Sequence, residues 1–129
     1  MSLKLIAANG FSYQLSDLTV NATVTLTGTP STKVKAGGQG VCKHGFGATI
    51  SAITVPSAGA TIPDPGPYSV TFSALATKVK ADGSLVLRLD DVTGDITATP
   101  QVPGGPPVPH PVTFHLKITA AGQTKAKAQ

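Results

Sequence analysis

The chain has few of the residues that fill a thick core or bind nucleic acid. Trp is absent, aromatic residues make up 5% of the 129 positions and charged residues 12%. The ten basic residues are nearly all Lys and are spread along the chain. Phosphate recognition usually needs a clustered basic patch with Arg forks or aromatic platforms. The formal net charge of +4 therefore does not indicate a nucleic-acid-binding protein.

Cysteine and long apolar runs are also scarce. The single Cys excludes a disulfide within the chain. The apolar residues at 3–10 are too few and too interrupted for a signal peptide, and no segment is long enough to span a bilayer. We therefore expect a protein without a signal peptide that is made in the cytoplasm. It would leave the cell by a route other than the general secretory pathway.

Alternating apolar and polar residues are the main pattern that is present. They occur at 18–27, 69–75, 85–89 and 112–118, and no segment shows the apolar stripe of a helix. The Pro-rich segments at 62–67 and 102–111 are expected to be loops, because proline lacks a backbone donor. The sequence thus predicts an all-β fold in one small domain.

A short phrase recurs along the chain. KVKAGG at 33–38 returns as KVKADG at 78–83 and, more weakly, as KITAAG at 117–122. Gly37-Gly38 and Asp82-Gly83 have the composition of tight hairpin turns. Repetition of this kind predicts three related structural units. We expect a single β domain at 1–122, followed by a disordered or docking tail at 123–129.

One Cys and three His are the candidate metal ligands. Cys42 and His44 follow the first repeat, and residues two apart on a strand project to the same side. Cys and His are the ligands that tetrahedral zinc prefers, so one Cys with three His would complete a structural site. Alternatively, the His residues are solvated and the Cys is a small buried apolar group. The predicted metal ligands are Cys42, His44, His110 and His115.

Other chemistry is poorly supported. A nucleophilic Cys paired with His needs an orienting group, and the only Asn residues are Asn9 and Asn21, early in the chain. Asp90, Asp91 and Asp95 lack the Glu and Gly placements of a calcium loop and mark a strand end and a turn. We expect no enzymatic activity.

Residues 31–43 and 76–88 follow the outline of a known repeat. Each has a Ser- or Thr-containing extended segment, a turn with Gly, and then a basic residue, Lys43 or Arg88. The chain resembles the PAAR-repeat family, the spike-tip proteins of type VI secretion systems, contractile phage tails and related injection particles. The Pro-Ala-Ala of the family motif is absent here.

The resemblance implies a small cone of short strands with pseudo-threefold internal repeats. It also implies one monomer capping a trimeric spike protein, of the valine-glycine-repeat or phage tail-spike type, and transient contact with a target membrane. Near the family's apex a metal is held by Cys and His, which assigns zinc, or alternatively iron, to the four residues above. Such a cap would be assembled into the particle and delivered out of the cell. An immunoglobulin-like or adhesin-type β-sandwich without metal is the alternative that the strand pattern leaves open.

Overall fold

The computed structural model describes residues 3–129 and confirms the all-β class. It contains one 3-10 helix, Pro56–Ala58, and no α-helix within this part of the chain. The strands are β1 (Lys4–Leu5), β2 (Ser12–Leu15), β3 (Asn21–Leu26), β4 (Lys35–Ala36), β5 (Gln39–Gly40), β6 (Gly47–Val55), β7 (Ala60–Asp64), β8 (Tyr68–Thr71), β9 (Lys80–Ala81), β10 (Ser84–Leu85), β11 (Ile96–Ala98), β12 (Gln101–Val102), β13 (Val108–Pro109), β14 (Val112–Phe114), β15 (Leu116–Ala120) and β16 (Lys127–Ala128).

Most of these strands pair only in twos. One six-stranded sheet has the order β13-β12-β7-β6-β3, with β8 also paired to β6. The other pairs are β1-β16, β2-β15, β4-β5, β9-β10 and β11-β14. An immunoglobulin-like sandwich would have two multistranded sheets packed face to face. The observed pairing does not have that topology.

The first two copies of the repeat are hairpins of the same register. Lys35 faces Gly40 across β4 and β5, and Lys80 faces Leu85 across β9 and β10. Type I′ turns require positive φ at both central residues. The turns meet this requirement, with φ of 58° and 84° at Gly37 and Gly38, and of 50° and 85° at Asp82 and Gly83. The predicted tight turns are confirmed.

The third hairpin is formed by the two terminal segments. β16 pairs with β1, so that Lys127 faces Leu5 and Ala128 faces Lys4, in the register of the other two hairpins. Its sequence, TKAKA at 124–128, matches TKVKA at 32–36 and 77–81. The prediction of a disordered or docking tail at 123–129 is therefore wrong, because this segment is a paired strand with Ala128 buried.

The weak third copy predicted at 117–122 is also wrong. Most of that segment lies in β15, which pairs with β2 and forms no hairpin of its own. The true third copy has Ala126 where the other copies have Val34 and Val79. Its return strand comes from the opposite end of the chain. A search for contiguous copies cannot join these two halves.

A closed ring of backbone hydrogen bonds joins the three units. The N–H of Ala7 donates to the Leu87 carbonyl (2.8 Å), that of Leu87 to the Cys42 carbonyl (3.0 Å), and that of Cys42 to the Ala7 carbonyl (2.9 Å). Each ring residue stands three positions after the start of its hairpin's second strand. Units stacked by translation cannot close such a cycle, whereas rotation about one axis does. The repeats are therefore related by a pseudo-threefold axis.

Two cores lie in the molecule. The smaller core lies among the hairpins, and its buried residues are Ile6, Ala36, Val41, Ala76, Ala81, Val86 and Ala128. The larger core contains the three ring residues and an aromatic group centred on Phe11. The Phe11 ring lies 5.4 Å from that of Phe46 and 5.5 Å from that of Phe72, in edge-to-face arrangements. Such pairs add to the stabilisation from apolar burial alone.

The Pro-rich segments are more ordered than expected. Pro63 lies inside β7, and Pro109 lies in β13 at an edge of the six-stranded sheet. The pairing of β7 with β6 shifts register between Ile53 and Val55, and a bulge of this kind tolerates a residue without an N–H. The expectation that these segments form only loops is therefore wrong.

Candidate functional site

The three hairpins present equivalent side chains in one region of the molecule. Ala36, Ala81 and Ala128 are 3%, 1% and 1% exposed and pack into the smaller core. Side chains alternate between the two sides of a strand. The Lys residues that precede each Ala are therefore directed away from that core, and all three are exposed. The fold thus repeats the same surface three times.

Six lysines belong to this region, and we call them the lysine crown. Each hairpin contributes two, separated by one apolar residue, and every one of them is exposed. None makes an ion pair within residues 3–129, whereas Lys4, Lys43 and Lys117 each contact an Asp. The crown consists of Lys33, Lys35, Lys78, Lys80, Lys125 and Lys127.

The only carboxylate within the hairpins does not neutralise the crown. Asp82 lies in the turn of the second hairpin, and its Oδ2 is 3.2 Å from Nζ of Lys43. Hydrogen bonds with Ser31 and then with Lys43 lower the pKa of Asp82. Asp82 thus forms its ion pair with Lys43, which is outside the crown, and interacts with Lys33 of the crown only through longer-range charge. None of the six crown lysines is in an ion pair within residues 3–129.

Exposed apolar residues adjoin the crown segments in the sequence. Leu3 and Leu75 are 55% and 63% exposed, and Val34 between two crown lysines is 36% exposed. Leu3 directly precedes β1, and Leu75 stands shortly before the second hairpin. The combination of apolar groups and surrounding charge is typical of a protein contact surface.

The second repeat ends at a buried guanidinium. Arg88 directly follows a ring residue and is 9% exposed. Its Nη1 donates to the carbonyl of Ala128 at 3.5 Å, and its Nε has no hydrogen-bond partner among the residues that the structure describes. Oε1 of Gln129 is a second buried polar atom that has no hydrogen-bond partner in the described chain. Arg88 is thus an incompletely paired cation beneath the third hairpin.

Cys42 is a core residue. It is 0% exposed and belongs to the larger core, where Ala7 and Leu87 occupy the equivalent ring positions. Burial raises the pKa of its thiol to about 12. The small buried apolar role fits Cys42 better.

The three His residues have separate surroundings. Nδ1 of the exposed His44 accepts the N–H of Ala74 at 3.0 Å. Nδ1 of His115 lies 3.4 Å from Oδ1 of Asp95. His110 is half-buried and donates its backbone N–H to Pro100 in the six-stranded sheet region. Each imidazole is therefore placed by a different part of the fold.

The four predicted ligands do not fit one metal site as they are placed. Within residues 3–129 no group of three or more His, Cys, Asp or Glu side chains is arranged to hold an ion. A closed tetrahedral site would need all four side chains to converge. Metal binding by Cys42, His44, His110 and His115 stays a prediction from the sequence.

A pocket of about 530 Å³ lies beside the third hairpin. Its lining includes Leu5, Gly37, Leu89 and residues 119–125. Lys125 is the only ionisable residue of that lining, so the pocket offers no acid and base pair. The pocket does not support a catalytic site.

Comparison with known proteins gives no further identification. A scan of family models and searches of curated proteins and of solved structures found no match to this chain. Within residues 3–129, no helix has the length and hydropathy needed to cross a membrane. Function must therefore be argued from the threefold arrangement and from its surface.

Part of the crown was missed at the level of sequence. Lys125 and Lys127 lie in the segment that the sequence predicts as a tail, although TKAKA differs from TKVKA by a single residue. Alignment of the pentapeptide instead of the hexapeptide would have found this copy, because the third hairpin has no continuous turn to match.

Proposed function

We propose that this chain is a non-enzymatic cap for a trimeric β-helical spike, acting as the spike-tip protein of a contractile injection machine of the type VI or phage-tail kind. The observation that carries the proposal is the hydrogen-bonded ring of Ala7, Cys42 and Leu87. A single chain with this internal rotation presents three similar surfaces to a threefold partner. Such a match needs one copy of this chain for each spike trimer.

The arrangement of the units also suits a cap that transmits force. They are joined in a cycle, if each unit is taken as a ring residue with the strands that follow it. β3 of the Ala7 unit pairs with β6 of the Cys42 unit, Phe72 of the Cys42 unit bridges to Thr93 of the Leu87 unit, and β15 of the Leu87 unit returns to β2. Opening any one unit would break contacts to both neighbours. The cap would remain stiff while the spike pierces a membrane.

The capping proposal does not depend on a bound metal. Zinc or iron held by the predicted Cys and His residues would add rigidity to the tip, because a structural ion stabilises the folded state. The placement of those side chains gives no support for this addition. Capping rests on the threefold geometry alone.

Light scattering on mixtures of this protein with a trimeric β-helical spike fragment tests the proposal. We expect a complex with one copy of this chain per spike trimer. As a control, the same fragment with a trimerisation domain fused over its blunt end should not bind. A stable complex with three copies per trimer would contradict the cap.

A further inference from the structure

We propose that the lysine crown docks on carboxylates arranged around the blunt end of the spike, so that the partner surface is an acidic protein face with threefold symmetry. This inference rests on the proposed capping function, and it adds the chemistry of the partner surface.

The repeat keeps its lysines where the fold does not require them. The apolar residue between the two lysines of each hairpin varies, being Val34, Val79 or Ala126. The first turn position varies from Gly37 to Asp82. Both lysines nevertheless occur in every copy, and all are exposed without an ion pair in the described chain. Their charge is therefore available to a group outside the fold.

The surroundings of the crown favour a protein over a lipid surface or a nucleic acid. No aromatic residue occurs at 31–43, 76–88 or 123–129. Segments that lie in a membrane interface are usually amphipathic helices, and no α-helix occurs within residues 3–129. Single-stranded nucleic acids stack on aromatic side chains. The one Arg of these segments, Arg88, is buried. Exposed Leu3, Val34 and Leu75 instead supply the apolar component of a protein contact.

Symmetry makes weak contacts act together. A single exposed Lys and carboxylate pair contributes little, because water and salt screen it. A threefold partner presents each of its carboxylates three times, and the crown presents each kind of lysine three times. Complementary charge of this kind speeds association and fixes the rotational setting of the cap on the spike.

The test compares two spike fragments and two charge variants of this chain. One fragment carries carboxylates around its blunt end, and in the other these are changed to amides. The crown variant replaces Lys35, Lys80 and Lys127 with Gln. The control variant carries Thr23→Glu, Ser57→Glu and Thr61→Glu, three exposed positions outside the hairpins that give the same change in net charge.

The parent protein should bind the acidic fragment more tightly than the amide fragment, and binding should weaken as ionic strength rises from about 0.01 M to about 1 M. The crown variant should bind the acidic fragment about tenfold more weakly, as three exposed pairs together would give. The control variant should bind like the parent. The single change Lys33→Gln should alter affinity by about twofold or less.

Other outcomes separate this inference from the capping proposal. If the parent and the crown variant both bound at one copy per trimer, with equal affinity and no dependence on salt, the acidic face would be overturned and the capping proposal would stand. Binding to neither fragment would overturn both. Crown-dependent binding to vesicles containing phosphatidylserine, without discrimination between the fragments, would show a membrane-binding surface and overturn the inference.

Discussion

Lys43 and Asp82 connect two different repeats, with Nζ of Lys43 only 3.2 Å from Oδ2 of Asp82. The pseudo-threefold relation places Arg88 at the position equivalent to Lys43, since each directly follows a ring residue. It likewise places Gln129 at the position equivalent to Asp82, since each follows the Ala that ends a hairpin strand. At the equivalent contact between the second repeat and the third hairpin, the buried cation Arg88 is therefore matched with the amide residue Gln129, where Lys43 is matched with the carboxylate of Asp82.

Gln129→Asp should therefore stabilise the protein. The guanidinium of Arg88 is already buried with Nε unpaired, so the parent protein already bears the cost of removing this cation from water. A carboxylate at position 129 would give the cation a partner. We expect the free energy of unfolding to rise by about 1 kcal/mol, measured by urea denaturation near neutral pH. Gln129→Asn matches Asp in size without the charge and should not stabilise. Equal stability of the two variants would refute the pairing.

A circular permutant tests the threefold relation directly. Joining Ala128 to Lys4 with Asp-Gly would give the third hairpin the turn that the second already has at Asp82. Opening the chain between Gly37 and Gly38 would then move the break to the first hairpin. We expect the permutant to fold with a circular dichroism spectrum like the parent's, because every strand pair is retained. As a control, opening between Ile50 and Ser51 inside β6 should prevent folding.

Much of the fold could be predicted from local patterns. The hairpins at Gly37 and Asp82 follow from turn residues that accept positive φ, and alternation identifies most of the longer strands. The third hairpin could not be predicted in this way, because Ala128 and Lys4 lie at opposite ends of the sequence and meet only through tertiary packing.

The candidate site was less predictable than the fold. The number of Cys and His residues suggests that Cys42 and the three His residues form one site. That number does not show where their side chains point. The ring turns the Cys42 side chain into the larger core, together with Ala7 and Leu87. The complete lysine crown can be recognised only once Lys125 and Lys127 are known to belong to a hairpin. Both facts depend on the pseudo-threefold axis.

Replacement of Cys42 distinguishes a core role from a ligand role. As a core residue, Cys42→Ala should cost about 1 kcal/mol through lost packing, with or without a chelator. The melting temperature of the parent should not change when EDTA is added. His110→Ala, at a half-buried position, should have little effect.

Metal analysis of the same proteins provides the opposing outcome. One equivalent of zinc or iron in the parent, lost together with melting temperature in His110→Ala, would support the sequence-based ligand set. It would also require these side chains to rearrange around the ion.

Asp64 should make stability depend on acid pH. Its carboxylate accepts the hydroxyl of Tyr68, the N–H of Thr99 (2.9 Å) and the N–H of Gly66 (3.1 Å). Burial alone would raise the pKa of Asp64, but these three hydrogen bonds lower it overall. A carboxyl whose pKa is lower in the folded state stabilises that state above its unfolded pKa. This contribution is lost as pH falls through the folded pKa.

Asp64→Asn should therefore lower the free energy of unfolding near neutral pH by about 1–2 kcal/mol, because the neutral amide has one acceptor oxygen for three donors. As pH falls below about 4, the ordinary pKa of an Asp, the unfolded parent takes up the proton first, and the difference between the two proteins should shrink until Asp64 of the folded state is protonated as well. Tyr68→Phe removes one donor and keeps the carboxylate, so it should lose less stability and retain part of the acid dependence. Denaturant titrations at neutral and acid pH provide the measurement. If parent and Asp64→Asn lost the same free energy between these pH values, the hydrogen bonds to Asp64 would contribute nothing to stability.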